Sequence, residues 1–152
     1  MAAGYRESAT PYPGLRPFEA HEADVFFGRE EHTDRLLEIL QARRFLAVIG
    51  PSGSGKSSLV RAGLLPALAL GSMGTGSDWR IALMRPGERP IESLATALLK
   101  PAVLGIELGA GDEADDAARA ALAAELRRGP LGLLHVATAA LDSVPTQRPN
   151  LL

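Results

Sequence analysis

Gly50-Pro51-Ser52-Gly53-Ser54-Gly55-Lys56-Ser57 fits the pattern G-x-x-x-x-G-K-[ST], and the rest of the chain is read from it. A loop that wraps a polyphosphate must turn several backbone N–H groups inward, and only small residues let the backbone come so close. Gly50, Ser52, Gly53, Ser54 and Gly55 are all small, with Pro51 the one ring among them. Lys56 supplies a compact, mobile positive charge for the β- and γ-phosphates, and the Ser57 hydroxyl is placed to ligate a Mg²⁺ bridging the same phosphates. Ser58 is expected to add a contact to the α-phosphate.

The flanks fit the same reading. Phe45-Leu46-Ala47-Val48-Ile49 is a short apolar run of the kind buried in a parallel sheet, and Lys56 to Leu70 carries Leu59, Ala62, Gly63 and Pro66 on a helical path. The helix N-terminus adds partial positive charge and free N–H groups to the anion site. A plain Gly/Ser turn would have to reproduce the Lys-Ser ending and both flanks by accident.

Towards the N-terminus, residues 1–27 read as an extended lead-in that packs on a core formed by 28–152. Pro11 to Phe18 alternates prolines with bulky anchors, Glu19 to Asp24 makes a short acidic helical turn, and Val25-Phe26-Phe27 ends at the free turn of Gly28. From Arg29 to Arg43 a helix gathers Leu36, Leu37 and Leu40 on one face, with Ile39 beside them and Arg43 and Arg44 at its C-terminal end.

Towards the C-terminus, Gly71 to Ser77 is a glycine-rich loop, and Trp79 to Arg85 is a second strand stopped by Pro86-Gly87. Pro90 opens a helix with Ile91, Leu94 and Leu98 on one face, which Pro101 ends. Gly105 to Gly111 is loop. The acidic run Asp112, Glu113, Asp115, Asp116 precedes a helix over Ala117 to Arg128, where its charges are explained by the macrodipole rather than by a cation. Leu131 to Leu141 is expected to be helical with Leu134, Thr138 and Leu141 on one face.

Composition excludes several function classes. The 152 residues, 46% hydrophobic and 22% charged with a net charge of −2, describe a soluble domain with no basic excess for nucleic acid. There are no cysteines, so disulfides and thiolate metal sites are excluded and a cytoplasmic location is compatible. Residues Met1 to Thr10 lack the apolar segment of a secretory signal. The longest uncharged stretch, Ala62 to Ser77, contains Pro66 and four glycines and is too short for a membrane span. His21, His32 and His135 have no mutual spacing that would place them on one metal.

Four stretches in fixed order carry a family resemblance: Pro11 to Phe18 (PYPGLRPF), Phe26 to Glu30 (FFGRE), Phe45 to Ala62 (FLAVIGPSGSGKSSLVRA), and Trp79 to Gly87 followed by Pro90. From about Pro11 to Leu152 the chain resembles the N-terminal part of a STAND nucleotide-binding domain of the bacterial novel STAND group. The resemblance implies a P-loop NTPase of three-layer α/β/α architecture with a parallel sheet, incomplete in this chain. It also implies ATP with Mg²⁺ as ligands, and a nucleotide-gated switch in which hydrolysis is the reset. Gly28, Arg29 and Glu30 would lie beside the adenine and ribose. Protein partners would be engaged through downstream sensor or effector domains.

Transporter-type ABC ATPases and guanylate kinases share such a loop. An ABC domain would carry a Gln soon after the second strand and a Leu-Ser-Gly-Gly-Gln signature, whereas the nearest Gln after the loop is Gln147. A guanylate kinase opens with its P-loop strand, whereas 44 residues precede Phe45 here. A non-hydrolysing ATP-binding scaffold stays open as the other reading.

Hydrolysis needs an acidic residue at the end of a second buried strand to hold Mg²⁺ through water and orient the attacking water. Asp142 follows an apolar run, but that run is alanine-rich and continuous with a helical pattern, while Arg148 to Leu152 has the turn-then-apolar form that opens a strand. The expectation is therefore a chain that stops before its Walker B acid, with no catalytic residue of its own. The resemblance also implies a further, later strand between Phe45–Ile49 and Arg148–Leu152, without which the loop strand lacks a partner.

Overall fold

The computed structural model describes residues 14, 16–74, 78–105, 112–141 and 150–152. It divides into two compact units, Met1–Ser77 and Asp78–Leu152. The boundary falls in the glycine-rich stretch after the loop helix, and from Arg16 onward the lead-in is part of the first unit's packing.

In the first unit a 3₁₀ turn over Ala20–Val25 is followed by α1, Glu30–Arg43. The Glu22 carboxylate reaches back to accept the Glu19 N–H at 2.9 Å, which satisfies a donor that the turn itself cannot. Helix α1 buries Leu36, Leu37 and Leu40, the stripe expected from spacing, and stops where Arg44 enters the left-handed region at φ 52° with its N–H on the Leu40 carbonyl.

The loop helix is continuous but not uniform. It starts as α2, Lys56–Ser58, widens into a π-helical segment over Leu59–Leu64, and closes as α3, Leu65–Ala69. Pro66 accounts for the widening: it has no N–H to give the Ala62 carbonyl, and its ring would clash with that carbonyl in a tight α turn. Ala62, Leu64 and Leu68 are buried. Gly63 faces α1, where an added Cβ would lie 2.6 Å from Thr33 Oγ1, so the two helices approach at the one residue without a side chain.

Phe45 to Ile49 departs from the expected buried strand. Among the described residues no segment pairs with it, and Phe45 and Ile49 are 75% and 91% exposed. A strand exists through its neighbours, so an apolar run without one forms no ladder.

In the second unit β1, Trp79–Arg80, pairs in parallel with β2, Asn150–Leu151, in the register Trp79 to Asn150 and Arg80 to Leu151. Of the strand expected over Trp79 to Arg85, Trp79 and Arg80 are in the ladder. The bonding still runs one step further, from Ala82 N–H to the Leu152 carbonyl at 2.8 Å.

The crossover between the strands contains α4 (Pro90–Leu98), α5 (Pro101–Leu104), α6 (Asp112–Arg127) and α7 (Gly132–Leu141). Their core joins Ala95, Leu98, Val103, Leu104, Ala123, Leu126 and Val136, with Leu151 of β2 packed against it. Pro101 does not merely end α4; it opens α5 from the first position, where its missing N–H costs nothing. Helix α6 begins at Asp112 rather than after the acidic run, which places Asp112, Glu113 and Asp115 in its first turn.

Helix α7 turns a different face inward from the one expected. Leu134 and Thr138 are exposed, whereas Gly132 and Val136 are buried and Ala140 packs on the core. The cause is steric: a Cβ on Gly132 would lie 2.7 Å from the Glu125 carbonyl and 2.8 Å from that of Leu126, so this glycine sets the contact with α6.

Candidate phosphate-binding site

The loop takes its shape from two left-handed glycines, Gly53 at φ 76° and Gly55 at φ 80°, conformations that an L side chain would strain. Ser54 N–H bonds the Pro51 carbonyl at 3.3 Å, and Leu59 N–H bonds that of Gly55 at 2.8 Å, so turn and helix join at Gly55. A Cβ on Gly50 would stand 3.1 Å from Ser54 Oγ and 3.7 Å from Lys56 Cδ. The lysine stem therefore passes directly over Gly50. Its Nζ donates to the Pro51 carbonyl at 2.7 Å, a bond that curls the cation over the mouth of the loop.

A cleft of about 440 Å³ opens there, lined on one side by Ser52, Gly53, Gly55, Lys56, Ser57 and Ser58. Its other wall is the lead-in: Gly14, Arg16, Pro17 and Phe18. A larger hollow, about 760 Å³, runs along α1 beside Arg35, Ile39 and Phe45, and none of its lining belongs to the loop. The smaller cleft is the candidate site, because it brings donors and a cation together.

Ser58 has a partner that sequence reasoning did not anticipate. Its Oγ is buried and accepts the Phe18 N–H at 3.1 Å, so it ties the lead-in to the first turn of the loop helix. Arg16 forms a fork on Glu22, with Nη1 at 2.7 Å from Oε2 and Nη2 at 2.6 Å from Oε1. Arg61 of the loop helix pairs with Glu19. The Arg16 guanidinium, helped by the Glu19 N–H, lowers the Glu22 carboxyl from an ordinary 4.5 to about 2. The Phe18 and Phe26 rings meet at 5.4 Å with a 55° tilt, while Phe27 is exposed and is no core side chain.

Gly28, Arg29 and Glu30 sit apart from the loop cleft. Gly28 is left-handed at φ 77°, and its N–H donates to Glu30 Oε1 at 3.0 Å. The Glu30 carboxyl is held below its ordinary range by its own N–H and those of Gly28 and Arg29, so it caps α1. Arg29 and Glu30 line a separate hollow of about 220 Å³ with Phe26, Thr33, Ala62 and Gly63. Both cavities thus border the same loop helix at successive turns, but they are not one cavity.

Ser57 lines the cleft, and its hydroxyl is the kind of hard oxygen donor that a divalent cation such as Mg²⁺ takes. Among the described residues no group of three or more His, Cys, Asp or Glu is placed to hold a metal ion. Among the same residues no helix is long and apolar enough to cross a membrane. Asp142 lies outside the described residues.

Searches of curated proteins and of solved structures gave no match. The sequence does match a protein family, described as Novel STAND NTPase 1, over residues 11–147, from the lead-in through the last helix. The chain belongs to the Novel STAND NTPase 1 family and carries a STAND-type NTPase domain.

Proposed function

We propose that this chain binds Mg·ATP in the loop cleft, as the nucleotide module of a signalling switch built on a three-layer P-loop fold. The observation that carries this reading is the placement of Lys56 Nζ, 2.7 Å from the Pro51 carbonyl over a turn with left-handed Gly53 and Gly55. Exchanging that carbonyl for phosphate oxygens gives the ammonium charged acceptors in place of a neutral one. The loop N–H groups and the start of the helix favour the anion, and Ser57 takes the metal. Bound Mg²⁺ would neutralise charge shared by the β- and γ-phosphates. The hollow beside Arg29 and Glu30 belongs to the nucleoside end.

A specific feature favours binding without turnover as the second reading. Among the described residues the cleft wall contains cations, hydroxyls and backbone but no carboxylate to orient a water. Titration with a fluorescent ATP analogue tests the main reading. A charged hydrogen bond contributes about 1.5 to 3 kcal/mol, so Lys56→Ala is expected to weaken binding by about tenfold to a hundredfold. Equal affinity in the variant would overturn the assignment. Phosphate release measured on the same protein separates the two readings: release abolished in Lys56→Ala favours an enzyme, and release no greater than in that variant favours the scaffold.

A further inference from the structure

We propose that Arg16 is a second phosphate-binding cation of the loop cleft, held ready by Glu22. The proposal rests on the P-loop reading and extends it to the lead-in. Arg16 lines the same cleft as Lys56 and Ser57, from the opposite wall. Its side chain is 51% exposed, although it makes three bonds within the protein: two to Glu22 and one from Nη1 to the Pro17 carbonyl. A guanidinium has five N–H donors, so two remain without a partner among the described residues.

Both carboxylates of the network already have partners. Glu22 is buried, with its oxygens turned to the Arg16 fork and the Glu19 N–H, and Glu19 is occupied by Arg61. Neither carboxylate lines the cleft. Arg16 therefore borders the cleft while its carboxylate partner does not.

Position is fixed as well as charge. Two residues along, the Phe18 N–H is anchored on Ser58 Oγ, and the Phe18 ring rests on Phe26. An arginine fork already ordered by a carboxylate loses little freedom on meeting an anion, and planar guanidinium matches phosphate oxygens in pairs. A merely structural Arg16 would staple the lead-in and contribute nothing to anion affinity. As a phosphate ligand it must affect both.

The two roles are separated by measuring binding of Mg·ATP and of inorganic tripolyphosphate to the full chain, to Arg16→Ala and to Glu22→Gln. Arg16→Ala is expected to lose about tenfold for both probes, while Glu22→Gln, which weakens the staple but keeps the cation, loses threefold or less. Equal losses in the two variants, or none in Arg16→Ala, would overturn the proposal. If Arg16→Ala does not fold, Arg16→Gln, which keeps a donor for Glu22 but carries no charge, decides: a tenfold loss for both probes supports the cation, and binding within about threefold overturns it. Lys56→Ala keeps the two hypotheses distinct. If it weakens binding and Arg16→Ala does not, only the Arg16 role fails; if the unaltered chain binds neither probe, the P-loop reading itself fails and this role with it.

Discussion

Glu22 shows how the lead-in is held by a charged hydrogen-bond fork. Its folded carboxyl titrates near 2 instead of 4.5, mainly because of the Arg16 fork. A depressed carboxyl pKa contributes stability that is present above the unfolded value and lost as pH falls through the folded one, here a window from about 4.5 down to about 2. The lead-in is thus expected to stay docked through mild acid. Carboxyl ¹³C NMR should find Glu22 titrating near 2 in the unaltered chain, with its midpoint returning towards 4.5 in Arg16→Ala. An unshifted Glu22 in the unaltered chain would contradict the fork. None of this pairing was legible in the sequence, since Arg16 and Glu22 sit in a stretch where no period applies. The loop residues were legible because Gly53, Gly55, Lys56 and Ser57 act through local backbone geometry that adjacent residues encode.

At the scale of elements, the contact between α1 and the π-helical segment hinges on Gly63. A side chain there meets Thr33 Oγ1, which is itself held on the Arg29 carbonyl at 3.2 Å and cannot swing away without losing that bond. Gly63→Ala is expected to destabilise the first unit by about 1 to 3 kcal/mol, an overpacking effect that outweighs the gain in helix propensity. Chemical denaturation checks it, and a variant of equal or greater stability would show that the helices separate freely. Periodicity located α1 and its Leu36, Leu37, Leu40 stripe, and it located α4, and α6 apart from its first turn over the acidic run. It failed on α7, where every residue from Leu133 to Leu141 except His135 and Thr138 is apolar and the pattern has no preferred side. There the choice fell to Gly132 and the backbone of α6, a tertiary constraint that no window of sequence contains. The π-helical segment was missed for a related reason: Pro66 was visible, but its effect on the preceding turn depends on what the helix packs against.

For the whole molecule, the two units differ in how they are closed. The second joins its strands around a shared core, while the first leaves the Phe45 and Ile49 side chains exposed. The pairing of β1 with β2 also sets an order of events in time. It links residues 71 positions apart, so its loop-closure cost is met only after α4, α6 and α7 have drawn the ends together. In pulse-labelled refolding, the amides of Ala82 and Leu152 should gain protection after those inside α6; simultaneous or earlier protection would show that the strands nucleate the unit. The same spacing matters on the ribosome. At roughly 5 to 20 residues per second, Trp79 and Arg80 wait about 4 to 14 s after synthesis before Asn150 and Leu151 exist to pair with them. During that interval Trp79 and Arg80 have no ladder partner, and the crossover helices are made while they wait.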